Sequence, residues 1–306
     1  MIDRLIYQIE QLGNPTVVGL DPTIEMMPEK MLKEASEKFG ETPEAIAFAL
    51  LKYNREIIDA IAGIVPAVKP NIAMYEKYGL DGIRAYIMTI EYAMGRGLMV
   101  IGDIKRGDIA STAAAYAAHI NPVAMYDKRF EIWHEEAVTI NPYLGSDSIE
   151  PFLEVLEARD KGIFVLVKTS NAGSSDIQDM PVVVEDKTIP MYEHVAGLVD
   201  KWGADYIGEF GYSKVGAVVG ATHPDIGARL REIMPNTFFL VPGYGAQGGT
   251  AKDIKRFFDA EGRGCIVNSS RGIIAAWKSE GKGAGHIGKE ARKAAIKMRD
   301  EIMGEL

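Results

Sequence analysis

The chain of 306 residues has a single cysteine, Cys265, so no disulfide can form within it and a reducing compartment is expected. Histidine is scarce too. His119, His134, His194, His223 and His286 are scattered, with no spacing that would gather metal ligands, and His134-Glu-Glu lacks a second histidine four residues on. There is no nucleophile elbow with a Ser/His/Asp set and no dinucleotide fingerprint. No uninterrupted apolar stretch reaches about 18 residues, which leaves no candidate membrane span. The opening MIDRLIYQIEQLG is charged in its first turn and reads as an amphipathic helix rather than a signal peptide. Positive charge is in deficit: 34 Lys+Arg against 43 Asp+Glu gives a net charge of −9. The surface as a whole therefore repels nucleic acid and anionic lipid, and an anionic ligand must be taken by a local basic site. The expectation is a soluble, cytoplasmic protein with no nucleic-acid or membrane partner.

What is present is the composition of a globular protein, 47% hydrophobic and 25% charged, in which short apolar runs alternate with amphipathic segments. The runs at 16–20, 67–69, 98–103, 137–140, 163–168, 215–220, 237–241 and 265–268 are almost uniformly apolar, the pattern of parallel strands buried on both faces. Between them, 43–62 places Phe48, Leu51, Ile57, Ile58 and Ile61 at helical spacing behind a Thr42 cap and a first-turn Pro43. Residues 75–94, 109–118, 148–158, 190–202, 225–233 and 251–261 read as further helices, and 289–306 as a charged amphipathic one. Eight strands alternating with helices predict an α/β fold, most simply a closed (β/α)8 TIM barrel forming one domain over 1–306. An open doubly wound sheet is the alternative that strand counting leaves standing. Two connections are long, 22–41 and 170–189, and the second, rich in Asn, Gly, Ser and Asp, suits a lid.

In barrels the active site forms at the C-terminal ends of the strands. Here those ends carry Asp21, Lys69, Asp103 with Lys105, and Lys168, charges that point to a polar cavity. Residues two apart on an extended segment share a side, so Asp103 and Lys105 are expected to face the mouth together. A lysine among carboxylates stays protonated, and such an ammonium can stabilise a carbanion and then protonate it. The same charges could instead be ion pairs closing a strand end, with Arg106 and Asp108 solvated. A second constellation runs through Gly243, Gly245, Gln247, Gly248 and Gly249 to Thr250, which would cap a helix whose positive end faces an anion. The next strand end adds Arg271, a guanidinium suited to bidentate phosphate contact. The loops after strands seven and eight are the usual phosphate site of this barrel.

From Val18-Gly-Leu-Asp21-Pro to Asn268-Ser-Ser-Arg271-Gly, and above all in Asp-x-Lys-x-x-Asp at 103–108 together with Lys69, the chain resembles the orotidine 5′-phosphate decarboxylases in their longer microbial form. The resemblance implies a cofactor-free, metal-free decarboxylation of orotidine monophosphate to UMP in pyrimidine biosynthesis. Lys105 would donate the proton to C6, with Asp103 beside the departing carboxylate. Asp21 and Lys69 would bind the ribose hydroxyls, and Ser170 would contact the ring. Gln247 and Arg271 would hold the phosphate, with Gly245 and Gly248 in its loop. Asp108 and Thr112 would reach across a homodimer interface into the partner's site. Three rivals remain. A metal-dependent sugar-phosphate decarboxylase of the 3-keto-L-gulonate 6-phosphate type carries a strand-two glutamate where this chain has Lys69. A Schiff-base aldolase would use Lys168. A phosphate-ligand binding protein would have no turnover.

Overall fold

The structure, a computed structural model, describes residues 1–245, 248–279 and 286–306. Eight parallel strands close into a barrel: β1 (Thr16–Leu20), β2 (Ala67–Pro70), β3 (Met99–Arg106), β4 (Ala137–Ile140), β5 (Gly162–Lys168), β6 (Ser213–Val219), β7 (Thr237–Pro242) and β8 (Cys265–Ser269). Each strand pairs with its neighbours in chain order, and β8 returns to β1 with Val17 opposite Asn268. The open-sheet alternative is thereby excluded. All eight apolar runs are strands because both their faces are covered, one by the barrel interior and the other by the helices.

The helical pattern of 43–62 is the helix Pro43–Ile61. Thr42 caps it, its hydroxyl accepting from the Ala45 N–H at 3.3 Å, and Leu50, Ile57, Ile58 and Ile61 are buried against the sheet. The opening segment is the amphipathic helix Ile2–Leu12. Its Ile2, Leu5 and Ile6 meet Val17, Met99 and Phe164 at the N-terminal ends of the strands and close that end of the barrel. Among the described residues no helix is long and apolar enough to cross a membrane.

Several elements differ from expectation. The long connection 22–41 contains a helix, Glu29–Phe39, which buries only Met31 and Ala35 and so leaves little periodic signal. The connection 170–189 folds into two short helical turns and an antiparallel hairpin, Pro181–Val184 with Lys187–Pro190. A second, exposed hairpin pairs Val123–Met125 with Lys128–Phe130. Residues 75–94 are not one helix: a short turn, Ala73–Glu76, is followed by Gly79–Gly95, with Gly79 at φ +63 providing the break. Residues 251–261 form a single α-turn, Ala251–Ile254, and a 3-10 turn.

Candidate active site

The C-terminal mouth of the barrel opens into a cavity of about 680 Å³. At its floor β2 and β3 bring three charges together. Lys69 Nζ donates to Asp103 Oδ2 at 2.6 Å, and Lys105 Nζ donates to Asp103 Oδ1, so one carboxylate bridges two ammonium groups. Lys69 and Asp103 are 5% and 7% exposed, whereas Lys105 is 47% exposed and reaches into the cavity. Burial alone would push the Asp103 carboxyl up, but Lys69 and Lys105 outweigh it and hold it well below the usual carboxylate range. Burial likewise works against the Lys69 ammonium, and Asp103 with Asp21 overcomes it, raising this lysine above its ordinary value. Asp21 lines the cavity, and its Oδ1 is buried without a hydrogen-bond partner.

Asp103 and Lys105 do meet, but not through regular strand alternation. The register of β3 against β4 shifts between Gly102 and Arg106, and Lys105 sits at φ +46, in the left-handed region that a side-chain-bearing residue seldom adopts. Such a conformation costs about 1–3 kcal/mol and persists only where surrounding contacts enforce it. Here Thr139 of β4 supplies them. Its Oγ1 accepts from the Lys105 N–H at 3.0 Å and donates to Asp103 Oδ1 at 2.9 Å. Thr139 is 1% exposed and lines the cavity floor. It was hidden in the sequence within an apolar run, where its one signal is to be the polar residue of that strand.

Lys168 leaves the site. Between β5 and β6 the register steps from Leu166 opposite Val218 to Lys168 opposite Val219, so an extra residue on β5 breaks the alternation. Lys168 is fully buried, with Nζ donating to Asp179 Oδ1 at 2.6 Å and to Ser174 Oγ at 3.2 Å. The polar end of β5 in the cavity is instead Thr169, Ser170 and Asn171, joined by Gln178, which sequence reading missed.

At the other side of the mouth, Gly243, Tyr244, Ser270 and Arg271 line the cavity, with Arg271 exposed at the rim. Gly245 and Gly248, both at positive φ, line a neighbouring groove beside the C-terminal helix Ile287–Met303. Gln247 lies outside the described residues. Thr250 caps its helix as expected, but that helix is a single turn. The cap is reciprocal: Thr250 Oγ1 accepts from the Asp253 N–H at 3.3 Å, and Asp253 Oδ2 accepts from the Thr250 N–H at 3.0 Å, which sets a carboxylate beside the start of the helix. Asp108 and Thr112, on the segment after β3, do not line the cavity of their own chain; Asp108 Oδ1 accepts from the Ile109 N–H at 2.7 Å. Among the described residues no group of three His, Cys, Asp or Glu side chains is placed to hold a metal ion.

A closed (β/α)8 barrel whose C-terminal mouth buries a charge array of this kind belongs with the barrel enzymes. The family model described as "Orotidine 5'-phosphate decarboxylase / HUMPS family" matches residues 16–283, and the chain belongs to that family. It is 42% identical over 305 residues to the orotidine 5′-phosphate decarboxylase of Petrotoga mobilis, covering 100% of this chain and 99% of the relative. The solved structure of Leishmania donovani OMP decarboxylase is similar at TM-score 0.71 and 32% identity, over 97% of this chain and 98% of that one. Leishmania donovani UMP synthase is similar at TM-score 0.76 and 34% identity, over the whole of this chain and 56% of that one.

Proposed function

We propose that this protein is a carboxy-lyase that converts orotidine 5′-phosphate to UMP and carbon dioxide, without metal or organic cofactor, in pyrimidine biosynthesis in the cytoplasm. The observation that carries the reading is the Lys69–Asp103–Lys105 array at the cavity floor. The bond from C6 to the carboxylate breaks, its electron pair stays on C6, and CO2 departs. Lys105 stabilises that developing charge as a fixed cation and then transfers a proton to C6, regaining one from solvent. Asp103 holds Lys105 and sits beside the leaving carboxylate, while Lys69 keeps Asp103 ionised and, with Asp21, binds the ribose hydroxyls.

The phosphate is held by Arg271 and Gln247, with the loop that carries Gly245 and Gly248. Binding energy gained there, remote from the reacting carbon, supports the chemical step. Ser170 contacts the pyrimidine. The catalytic unit is a homodimer in which Asp108 and Thr112 complete the partner's site. Against the metal-dependent 3-keto-L-gulonate 6-phosphate type of decarboxylase, Lys69, a cation where that chemistry needs a carboxylate for its metal, favours the decarboxylation of the nucleotide. The position of Lys168, turned away from the cavity onto Asp179, speaks against the Schiff-base reading.

The test follows the orotate absorbance of orotidine 5′-phosphate with purified protein, with and without EDTA. Rapid, chelator-indifferent loss yielding UMP is expected. Lys105→Ala should abolish turnover while UMP still binds; retention of more than a small fraction of the wild-type rate would remove Lys105 from the proton-donor role.

A further inference from the structure

The cavity wall after β5 is braced from both sides. From one side Gly220, at the end of β6, donates its N–H to Lys168 O at 2.7 Å. A Cβ on Gly220 would lie 2.8–2.9 Å from the Ser170 backbone and Cβ, so the loop packs on bare glycine. From the other side Gln178 grips Thr169 with both ends of its amide. The Thr169 N–H donates to Gln178 Oε1 at 2.9 Å, and Gln178 Nε2 donates to Thr169 Oγ1 at 2.8 Å. Thr169 Oγ1 in turn donates to Asn171 Oδ1 at 2.7 Å, so the grip extends across Ser170. Behind it, the next residue, Asp179, accepts from the fully buried Lys168 ammonium, which also reaches Ser174. Segment 174–179 is thus tied to 168–171 by three side-chain pairs, Lys168 with Ser174 and with Asp179, and Thr169 with Gln178.

We infer that Gln178 is a positioning residue for the base end of the substrate: with the Lys168–Asp179 pair behind it, its amide fixes the Thr169–Asn171 edge so that Ser170 meets the pyrimidine in one orientation. The inference rests on the decarboxylase reading above. Preorganisation is the physical reason: a loop held by hydrogen bonds on both flanks does not have to be ordered when the ring arrives. The phosphate end, on the far side of the mouth, does not depend on this grip.

The experiment compares ligands that do and do not carry the ring. Gln178→Ala is expected to lower kcat/KM for orotidine 5′-phosphate by about tenfold or more and to raise the UMP inhibition constant in parallel, the scale of losing two hydrogen bonds. Inhibition by ribose 5-phosphate, which keeps the phosphate and sugar, should stay within about twofold of wild type. Gln178→Glu keeps the acceptor for the Thr169 N–H and loses the donor to Thr169 Oγ1. Its deficit should shrink as pH falls and the carboxyl regains a proton to donate. Thr169→Val, which removes the hydroxyl but leaves the N–H, should show a partial loss that is not additive with Gln178→Ala. A Gln178→Ala enzyme with wild-type kcat/KM and UMP affinity overturns the inference. Equal losses for UMP and ribose 5-phosphate also overturn it, since they would mark general loosening. Absence of turnover in the wild type overturns the decarboxylase reading itself, a separate result.

Discussion

Thr139 places one hydroxyl between the two groups on which the chemistry turns, accepting from the Lys105 backbone and donating to the Asp103 carboxylate. Thr139→Val keeps the branched shape and removes both bonds. It should lower stability by about 1–3 kcal/mol, because a partly buried N–H loses its acceptor at a residue already in the left-handed region. It should also reduce kcat/KM by about tenfold or more as Lys105 loses its fixed geometry. Thermal melts with steady-state kinetics would check it, and an unchanged kcat/KM would show that the backbone of Lys105 is held by other means. The same array sets a pH dependence. Asp103 is depressed, so its contribution to stability is complete above the unfolded carboxyl value of about 3.9 and is lost as pH falls through the folded value. Lys69 is raised, so its contribution is complete below about 10.4 and is lost as pH rises through its folded value. The stability difference between wild type and Asp103→Asn should therefore shrink below about pH 4. An unchanged difference down to strongly acid pH would mean that the two lysines do not hold Asp103 ionised.

Individual elements divide the work between stability and chemistry. The helix Ile2–Leu12 closes the end of the barrel opposite the cavity, with Leu5 fully buried among strand beginnings. Leu5→Ala should cost about 2–5 kcal/mol. At temperatures where the variant remains folded, its kcat and KM should match wild type; a changed KM would show that the plug shapes the mouth. The strands themselves were the most legible feature of the sequence, because a parallel strand buried on both faces is a continuous apolar run whatever its neighbours do. The helix Glu29–Phe39 escaped notice for the opposite reason, since it lies on the surface with two buried side chains. At the site, Lys69, Asp103 and Lys105 could be read from strand ends alone. The direction of Lys168 could not, because an extra residue on β5 breaks the alternation on which such a reading depends. The helix behind Thr250 is a similar case: the Thr-x-x-Asp spacing is in the chain, but that the helix stops after one turn, at Ile254, shows only in the fold.

For the whole molecule, a net charge of −9 works against anion binding over the surface at large, so the proposed phosphate site must draw on local cations such as Arg271. The proposed two-chain site adds a second constraint. Asp108 and Thr112 sit outside their own cavity, next to Ile109, which is 58% exposed, and the loop after β4 presents Tyr143 at 79% exposure. The strands that carry these two segments pair up to their ends, with the Asn141 N–H donating to Arg106 O at 2.7 Å, so both exposed side chains follow neighbouring strand ends. If Lys105 and Asp108 of one site come from different chains, two inactive variants must complement each other. In a Lys105→Ala and Asp108→Asn heterodimer one site has both native residues and the other has neither. Equal mixing makes about half of the dimers heterodimers, each with one working site, so the mixture should recover about one quarter of the wild-type rate. Subunit exchange is followed by differently tagged chains and activity by loss of the orotate absorbance. Verified exchange without recovery would put Asp108 to work within its own chain and leave the exposed Ile109 beside it without a catalytic reason to meet a partner.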